Sequence, residues 1–379
     1  MKELFLKEIS LYIHIPFCKQ KCLYCDFPSY SGKEKFISEY VNALNKEIRT
    51  KSSNYKIKSI FIGGGTPSYL NEIELEKLLK CINTLRLEEN LEFTMECNPG
   101  SLSEDKLKIM KKYNVNRISM GLQSTKSSLL KEIGRIHTLE EFENNYLLAR
   151  KVGFTNINID LMFGLPNQSV EDWRRTLEKI IEFNPEHISA YSLIIEEGTC
   201  FYNLYNKDKL NLPSEEEERE MYLLTKEFLK DNGYNQYEIS NFAKDEKECY
   251  HNTVYWKLNE YLGLGASASS YIDGKRIKNI DDIELYIKNI NNNKNVENEI
   301  YKNNINDNME EFMFMGLRMI SGIEESEFKE RFKKDIDEVY GTIIDKNIKQ
   351  ELLVRNGGRI YLTSRGIEVS NSVMSDFII

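Results

Sequence analysis

The chain has 379 residues, of which 41% are hydrophobic and 29% charged, with only 7 Pro and 20 Gly. This composition excludes collagen-like, disordered and disulfide-scaffold proteins and leaves a globular protein with room for one large domain and a smaller one. The formal net charge of −9 opposes contact with phosphate backbones and anionic membrane surfaces, so we expect no nucleic acid partner.

The first residues, MKELFLKEIS, are charged and lack the apolar stretch of a secretory leader, and no apolar run of about 18 residues follows. We therefore expect a cytoplasmic protein that is not an integral membrane protein. Three of the seven cysteines crowd into positions 18–25. In a reducing compartment, close-set cysteines indicate metal ligands or reactive thiols rather than disulfides.

Short β-rich runs alternate with amphipathic helical patterns in the first two thirds of the chain, which predicts six consecutive βα units around a parallel sheet. The predicted strands are 10–15, 59–62, 91–96, 117–121, 156–162 and 187–194. The predicted helices, which show apolar spacing near 3.6 residues, are 33–50, 71–86, 103–113, 138–152, 169–183 and 214–232.

An Asn-rich stretch at 288–308 predicts a linker between a first domain, 1–287, and a C-terminal domain, 309–379. Beyond it, three helical patterns lead into two alternating strands joined by Asn-Gly-Gly at 356–358. Three helices and a hairpin suggest a winged-helix-like unit. Its net charge of −3 disfavours DNA reading and favours packing or partner docking.

The most specific motif is IPFCKQKCLYCDF, which places Cys18, Cys22 and Cys25 directly after the first predicted strand. Three thiolates in a short loop favour zinc or an iron–sulfur cluster. A structural zinc site would need a fourth protein ligand, a distant Cys or His, and this alternative stays open. With three protein ligands, one coordination position is free for an exogenous molecule, as in catalytic centres.

Polar or flexible residues end the later predicted strands. The second strand runs into Gly63-Gly64-Gly65-Thr66-Pro67, where backbone groups can approach a ligand closely. The next four end at or near Glu96, Gln123, Asp160 and Ser192. In barrel-like α/β proteins the ligand lies at the carboxyl ends of the strands, so we expect these residues to share a rim with the cysteines.

These motifs resemble the radical S-adenosylmethionine (SAM) superfamily. The resemblance starts from the spacing C-x3-C-x2-C, with Tyr24 between the second and third cysteines, and from GGGTP after the next strand. Further motifs are similar to the branch of oxygen-independent coproporphyrinogen III oxidase: YIHIPFC, ECNPG, SMGLQS, GRIHT, NIDLMFGLP, HNTVYW and MGLRMISG. The resemblance implies an α/β fold with a partial (βα)6 radical SAM barrel and a small C-terminal helical, winged-helix-like domain.

The resemblance also implies ligands for particular residues. Cys18, Cys22 and Cys25 would hold a [4Fe-4S] cluster, whose fourth iron would bind SAM. The residues implied to bind SAM are Tyr12, Tyr24, Gly64, Gly65, Thr66, Glu96, Gln123, Arg135 and Asp160. Ser192 and Ser269 would correspond to a second SAM site, in a looser alignment.

Two departures separate this chain from the oxidase. The oxidase carries a further cysteine two residues beyond the third, where this chain has Phe27, and it has a longer segment before the first strand. Within the branch the chain is therefore more similar to the haem chaperones, which bind haem and deliver it to an acceptor. Coproporphyrinogen oxidase activity is the alternative function, and whether the protein is an enzyme is left open.

A haem chaperone needs a haem site, and HNTVYW offers one candidate. Imidazole commonly ligates haem iron, and Tyr255 and Trp256 could pack on a porphyrin face, so His251 is the predicted haem ligand. The alternative is a structural histidine in the core. The expected partners are haem and a membrane-associated haem acceptor, and the oligomeric state is open, with a homodimer as one candidate.

Overall fold

The computed structural model describes residues 6–378. Residues 1–5, at the start of the charged stretch MKELFLKEIS, and residue 379 lie outside the described residues. Six parallel strands form the centre of the sheet, as predicted: β1 (Lys7–Ile15), β2 (Tyr55–Gly64), β3 (Leu87–Cys97), β4 (Arg117–Gln123), β5 (Ile157–Phe163) and β6 (His187–Ser192). Every residue of β4 is buried, as expected for a central parallel strand covered on both faces.

Helices cover the outer face of these strands and agree with the predicted ones to within a few residues. They are α1 (Ile37–Ser52), α2 (Glu72–Ile82), α3 (Glu104–Lys112), the short α4 (Ser127–Glu132), α5 (Leu139–Val152) and α6 (Val170–Phe183). Thr138 and Ser169 form capping boxes with the acidic residues three positions later, which fixes where α5 and α6 begin.

A second series of elements extends the sheet on both sides. In chain order these are α7 (Cys200–Tyr205), α8 (Glu215–Asp231), β7 (Asn235–Glu238), β8 (Asn241–Ala243), α9 (Tyr250–Trp256), β9 (Tyr261–Leu264), β10 (Ser269–Ile272), β11 (Lys275–Asn279), α10 (Ile283–Asn291) and β12 (Glu297–Lys302). The sheet order is β12-β11-β10-β9-β1-β2-β3-β4-β5-β6-β8-β7. Because both ends of this order are free in the described residues, the barrel is partial, as predicted.

The Asn-rich stretch at 288–308 has regular structure. It contains the end of α10, the edge strand β12 and the start of α11, and β12 pairs with β11 in antiparallel register. Five of the six β12 residues are exposed, so no buried face sets a period, and for this reason the sequence of the stretch resembles that of a linker. The predicted domain boundary itself stays a prediction.

The C-terminal region has its own hydrophobic core and a three-stranded antiparallel sheet in the order β13-β15-β14. Its elements are α11 (Ile305–Gly316), β13 (Ile323–Glu324), α12 (Glu325–Phe332), α13 (Ile336–Lys349), β14 (Leu353–Asn356), β15 (Arg359–Leu362), α14 (Ser364–Glu368) and α15 (Ser370–Ser375). Within residues 6–378 no helix is long and apolar enough to cross a membrane.

Candidate functional site

The three clustered cysteines lie in the loop after β1 and line one cavity of about 460 Å³. Cys18 is buried, whereas Cys22 and Cys25 are half-buried, and all three are free thiols. Backbone hydrogen bonds hold the loop at both ends, because Cys18 N donates to Tyr30 O (3.0 Å) and Leu23 N donates to Ile133 O (3.1 Å). The loop therefore presents its sulfurs from a fixed backbone.

The three thiols can be compared with the two kinds of site that the sequence predicts, a cluster and a single ion. Among the described residues no three His, Cys, Asp or Glu side chains converge tightly enough to hold one metal ion. In a zinc site all ligands would meet at one point, and the zinc alternative stays open. A cuboidal cluster binds each thiolate to a different iron, so its ligands can line a cavity without converging.

A fourth cysteine, Cys97 at the end of β3, also lines this cavity and was missed by the sequence analysis. It is buried, and its thiol donates to the Met95 carbonyl at 3.7 Å. Burial raises the pKa of this thiol well above its ordinary value. Cys97 is therefore held as a neutral thiol turned toward the backbone of its own strand.

Glycine is required where β2 ends because the cysteine loop packs against the backbone there. Gly64 has φ +110°, and a Cβ at this position would lie 2.4 Å from the His14 ring. A Cβ on Gly65 would lie 2.8 Å from the Phe17 carbonyl oxygen and 3.0 Å from Cys18 Sγ. The missing side chains thus allow the backbone to pass directly beside the first cysteine.

His14 ties this end of the sheet to the cysteine loop. Its Nε2 contacts the Pro28 carbonyl oxygen at 2.8 Å, and its Nδ1 contacts the Tyr12 hydroxyl at 2.9 Å. Burial lowers the pKa of His14 to about 4, so the ring is neutral at physiological pH, with Nε2 donating to the carbonyl. His14 is thus an anchor for the loop.

Most of the predicted ligand-binding residues share this cavity. Besides the three cysteines, the cavity is lined by Tyr24, Gly64, Gly65, Thr66, Glu96, Gln123, Arg135, Asp160 and Ser192. Tyr24 comes from the loop after β1, and the others come from the carboxyl-terminal parts of β2 to β6 and the loops that follow, which is the arrangement that the parallel sheet predicts. Their roles as ligand contacts stay predictions.

Glu96 and Asp160 are two carboxyl groups that line the cavity. The Gly64 amide donates to Glu96 Oε2 (3.1 Å), and Asp160 accepts hydrogen bonds from Ser119 and Asn158, both at 2.8 Å. Burial, and secondarily the Asp160 charge, raise the pKa of Glu96 to about 8. A cationic group bound here would favour the ionised carboxylate.

A chain of hydrogen bonds joins the cysteine loop to the cavity wall. Arg135 donates to the Tyr24 hydroxyl (3.2 Å) and to Asn98 Oδ1 (2.8 Å). Asn98 Nδ2 donates to Thr66 Oγ1 (3.0 Å), whose hydroxyl lies 3.6 Å from Cys18 Sγ. Asn98 is the central link, although the sequence analysis quoted it only within the motif ECNPG. The available signal was its position two residues after Glu96, which ends a predicted strand.

Three predicted site residues lie outside the cavity lining: Tyr12, Ser269 and His251. Tyr12 stacks on Phe61 and bonds to His14, so it supports the site from behind. Ser269 lies exposed on β10 opposite Lys278, on the part of the sheet beyond β1. The structure gives it no contact with the cavity.

His251 is fully buried and both of its ring nitrogens have partners. Nδ1 lies 2.8 Å from Ser59 Oγ, and Nε2 lies 2.9 Å from the Tyr255 hydroxyl. Burial, with the nearby Arg117 charge, lowers the pKa of His251 to about 3. With both nitrogens engaged, His251 has the surroundings expected of the structural alternative, and its role as a haem ligand stays a prediction.

Comparison with known proteins is consistent with this site. A model described as the radical SAM superfamily matches residues 12–180, and one described as the HemN C-terminal domain matches residues 305–369. A search of solved structures finds the coproporphyrinogen III oxidase HemN from Escherichia coli, described as a radical SAM enzyme. Its TM-score is 0.86 at 23% identity, over 98% of this chain and 90% of that one. This likeness confirms the predicted fold.

Curated relatives place the chain more narrowly. It is 40% identical over 374 residues to the heme chaperone HemW of Bacillus subtilis strain 168, which covers 97% of this chain and 99% of the relative. The identity to the heme chaperone HemW of Lactococcus lactis strain IL1403 is also 40% over 374 residues, covering 98% of each. The chain therefore belongs to the radical SAM superfamily and, within it, to the family of the heme chaperone HemW.

Proposed function

We propose that this protein is a haem chaperone that binds haem and transfers it to an acceptor protein. The observation that carries the proposal is the 40% identity to HemW proteins along almost the whole of both chains. A match of that extent includes the cysteine loop, the rim of the barrel and the C-terminal region together. We further propose a cytoplasmic location and a membrane-associated haemoprotein as the acceptor.

Cys18, Cys22 and Cys25 would hold a [4Fe-4S] cluster, with SAM at the iron that no cysteine binds. The donor set suits both groups: three free thiols line one cavity, Arg135 can pair with a carboxylate, and Glu96 and Asp160 can accept from hydroxyl or ammonium groups. A cluster held there would be a source of single electrons when reduced. The chain's own residues orient these groups, and the Thr66 hydroxyl supports the Cys18 sulfur.

The rival function is oxygen-independent coproporphyrinogen III oxidase. The oxidase and this chain have the same fold, so the fold does not distinguish between the two functions. The sequence difference is Phe27, which stands where the oxidase has a further cysteine and which lines the cavity with 60% of its surface exposed. The absence of a thiol at this position argues against oxidase activity.

Two assays on anaerobically reconstituted protein test the proposal. Titration with haem, followed by absorbance, should give saturable binding with micromolar or tighter affinity. The same protein, reduced and supplied with SAM and coproporphyrinogen III, should leave the substrate unchanged. Formation of protoporphyrinogen would establish the rival, and the absence of saturable haem binding would overturn the proposed function.

A further inference from the structure

The cavity that holds the cysteines also has an apolar mouth. Five residues form it, and we call them the mouth patch: Phe27, Met162, Tyr191, Leu193 and Ile194. Phe27, Tyr191 and Ile194 are 60%, 38% and 65% exposed, although they are large hydrophobic side chains. Exposed apolar groups grouped around one cavity mark a binding surface more often than single ones do.

The mouth patch faces the cavity from two sides. Phe27 lies two residues beyond the third cysteine, in the loop after β1, whereas Tyr191, Leu193 and Ile194 lie at the end of β6. β1 and β6 are the first and last of the six predicted parallel strands, so these groups stand on opposite sides of the opening. A flat apolar molecule could contact both sides at once.

The mouth patch is chemically distinct from the polar wall. Glu96, Arg135 and Asp160 are buried or half-buried and engaged in hydrogen bonds with the cavity wall. Phe27, Tyr191 and Ile194 are more exposed than these polar groups, so a ligand on them would cover a molecule bound against the polar wall.

We infer that haem binds to the mouth patch, with the Met162 thioether as a ligand to its iron; this inference rests on the proposed function. Haem offers a broad aromatic face for Phe27, Tyr191 and Ile194. Met162 is half-buried at the end of β5 and lines the cavity, and thioether sulfur is an established ligand of haem iron. His251, in contrast, has both nitrogens occupied.

The test compares matched variants in haem titrations of cluster-loaded protein. Ile194→Asp puts a charge on the mouth patch, and we expect haem affinity to fall about tenfold or more. Ile300→Asp is the control, because Ile300 is similarly exposed (57%) on the edge strand β12, and its affinity should stay within about twofold of the wild type. Equal haem affinity in wild type and Ile194→Asp would overturn the inference.

Two further variants test the iron ligand. Met162→Leu keeps the volume and removes the sulfur, so the absorbance spectrum of bound haem should change while binding persists. His251→Gln should keep the wild-type haem spectrum. An unchanged spectrum in Met162→Leu, or loss of the haem spectrum in His251→Gln at normal iron content and melting temperature, would overturn the inference. A wild type that binds no haem would overturn the proposed function as well.

Discussion

At the scale of single residues, some residues of the site could be predicted because they end a strand, and others could not. Glu96, Gln123 and Asp160 were predicted because they end strands of a parallel sheet, and they do line one cavity. Asn98 directly follows β3 and Met162 is the next-to-last residue of β5, but the contacts that they make across the cavity are not visible in the sequence. The burial of His251 and its two hydrogen-bond partners were also not visible in the sequence.

The carboxyl group of Glu96 makes the stability of the protein depend on pH. Its pKa is about 8 in the folded chain and close to 4.5 when unfolded, so the folded state holds the proton more tightly. Its contribution to the free energy of unfolding is therefore full below about pH 4.5 and is lost as the pH rises to about 8. We expect a loss of about 2 kcal/mol, reduced from the full shift because the side chain is only half-buried.

Glu96→Gln is the matched variant, because it keeps the shape and cannot titrate. Denaturant unfolding of wild type and Glu96→Gln, measured from pH 5 to 9, gives the pH dependence of the difference between them. The unfolding free energy of the wild type should fall relative to that of the variant over this range. A difference that stays constant, or that rises with pH, would refute the assignment.

Asn98 links Arg135 to Thr66 and so supports both the cavity wall and the Cys18 sulfur. Asn98→Ala removes both bonds, and we expect SAM affinity to fall about tenfold or more and the cluster reduction potential to shift. Asn98→Asp keeps an acceptor for Arg135 but loses the donor to Thr66. It should restore SAM affinity and leave the potential shifted, as measured by equilibrium dialysis and redox titration. Unchanged values of both in Asn98→Ala would remove this residue from the site.

At the scale of elements, the long strands and helices were predictable and the short ones were not. The strands β1 to β6 have buried apolar runs, and the helices between them have a regular apolar face and capping residues. The strands β7 to β11 have three to five residues each, which is too short for a period to be recognised. Sheet pairing with distant strands, rather than local pattern, fixes these segments.

The turn after β2 needs glycine for both its backbone angle and its neighbours. Gly64→Ala would strain a residue at φ +110° and also push a Cβ to 2.4 Å from His14. Gly153→Ala is the control, since Gly153 has φ +101° with nothing within 4 Å of its Cβ position. We expect Gly64→Ala to lower the unfolding free energy by about 2 kcal/mol more than Gly153→Ala does. Equal losses in chemical denaturation would show that the turn tolerates a side chain.

At the scale of the whole molecule, the C-terminal region is joined to the barrel by particular contacts. The Arg318 guanidinium lies 4.4 Å from the Trp256 ring centre and 3.6 Å from the buried Glu238 carboxylate. Trp256 belongs to the motif HNTVYW and Arg318 to the motif MGLRMISG. The two residues are 62 positions apart in the sequence. The sequence predicted both units, but not that these two motifs meet.

Arg318→Ala tests this junction. It removes the stacking on Trp256 and leaves Glu238 without its cation, so we expect the unfolding free energy to fall by about 2–3 kcal/mol. Arg365→Ala is the control, because Arg365 is 70% exposed and its partner is 4.0 Å away, and it should change stability by about 0.5 kcal/mol or less. Thermal unfolding of both variants measures the two changes in stability. Equal stability would mean that the two regions are joined elsewhere.

The central claim is that three thiolates hold a cluster and leave one iron free for SAM. The most direct measurement is electron paramagnetic resonance of anaerobically reconstituted, reduced protein with and without SAM, together with iron and sulfide analysis. We predict about four irons and four sulfides per chain, a spectrum that changes when SAM is added, and loss of the cluster in Cys22→Ala but not in Cys200→Ala, whose thiol is exposed and remote in sequence. Bound zinc would contradict the claim. A cluster whose spectrum does not change when SAM is added, because Cys97 binds the fourth iron, would also contradict it.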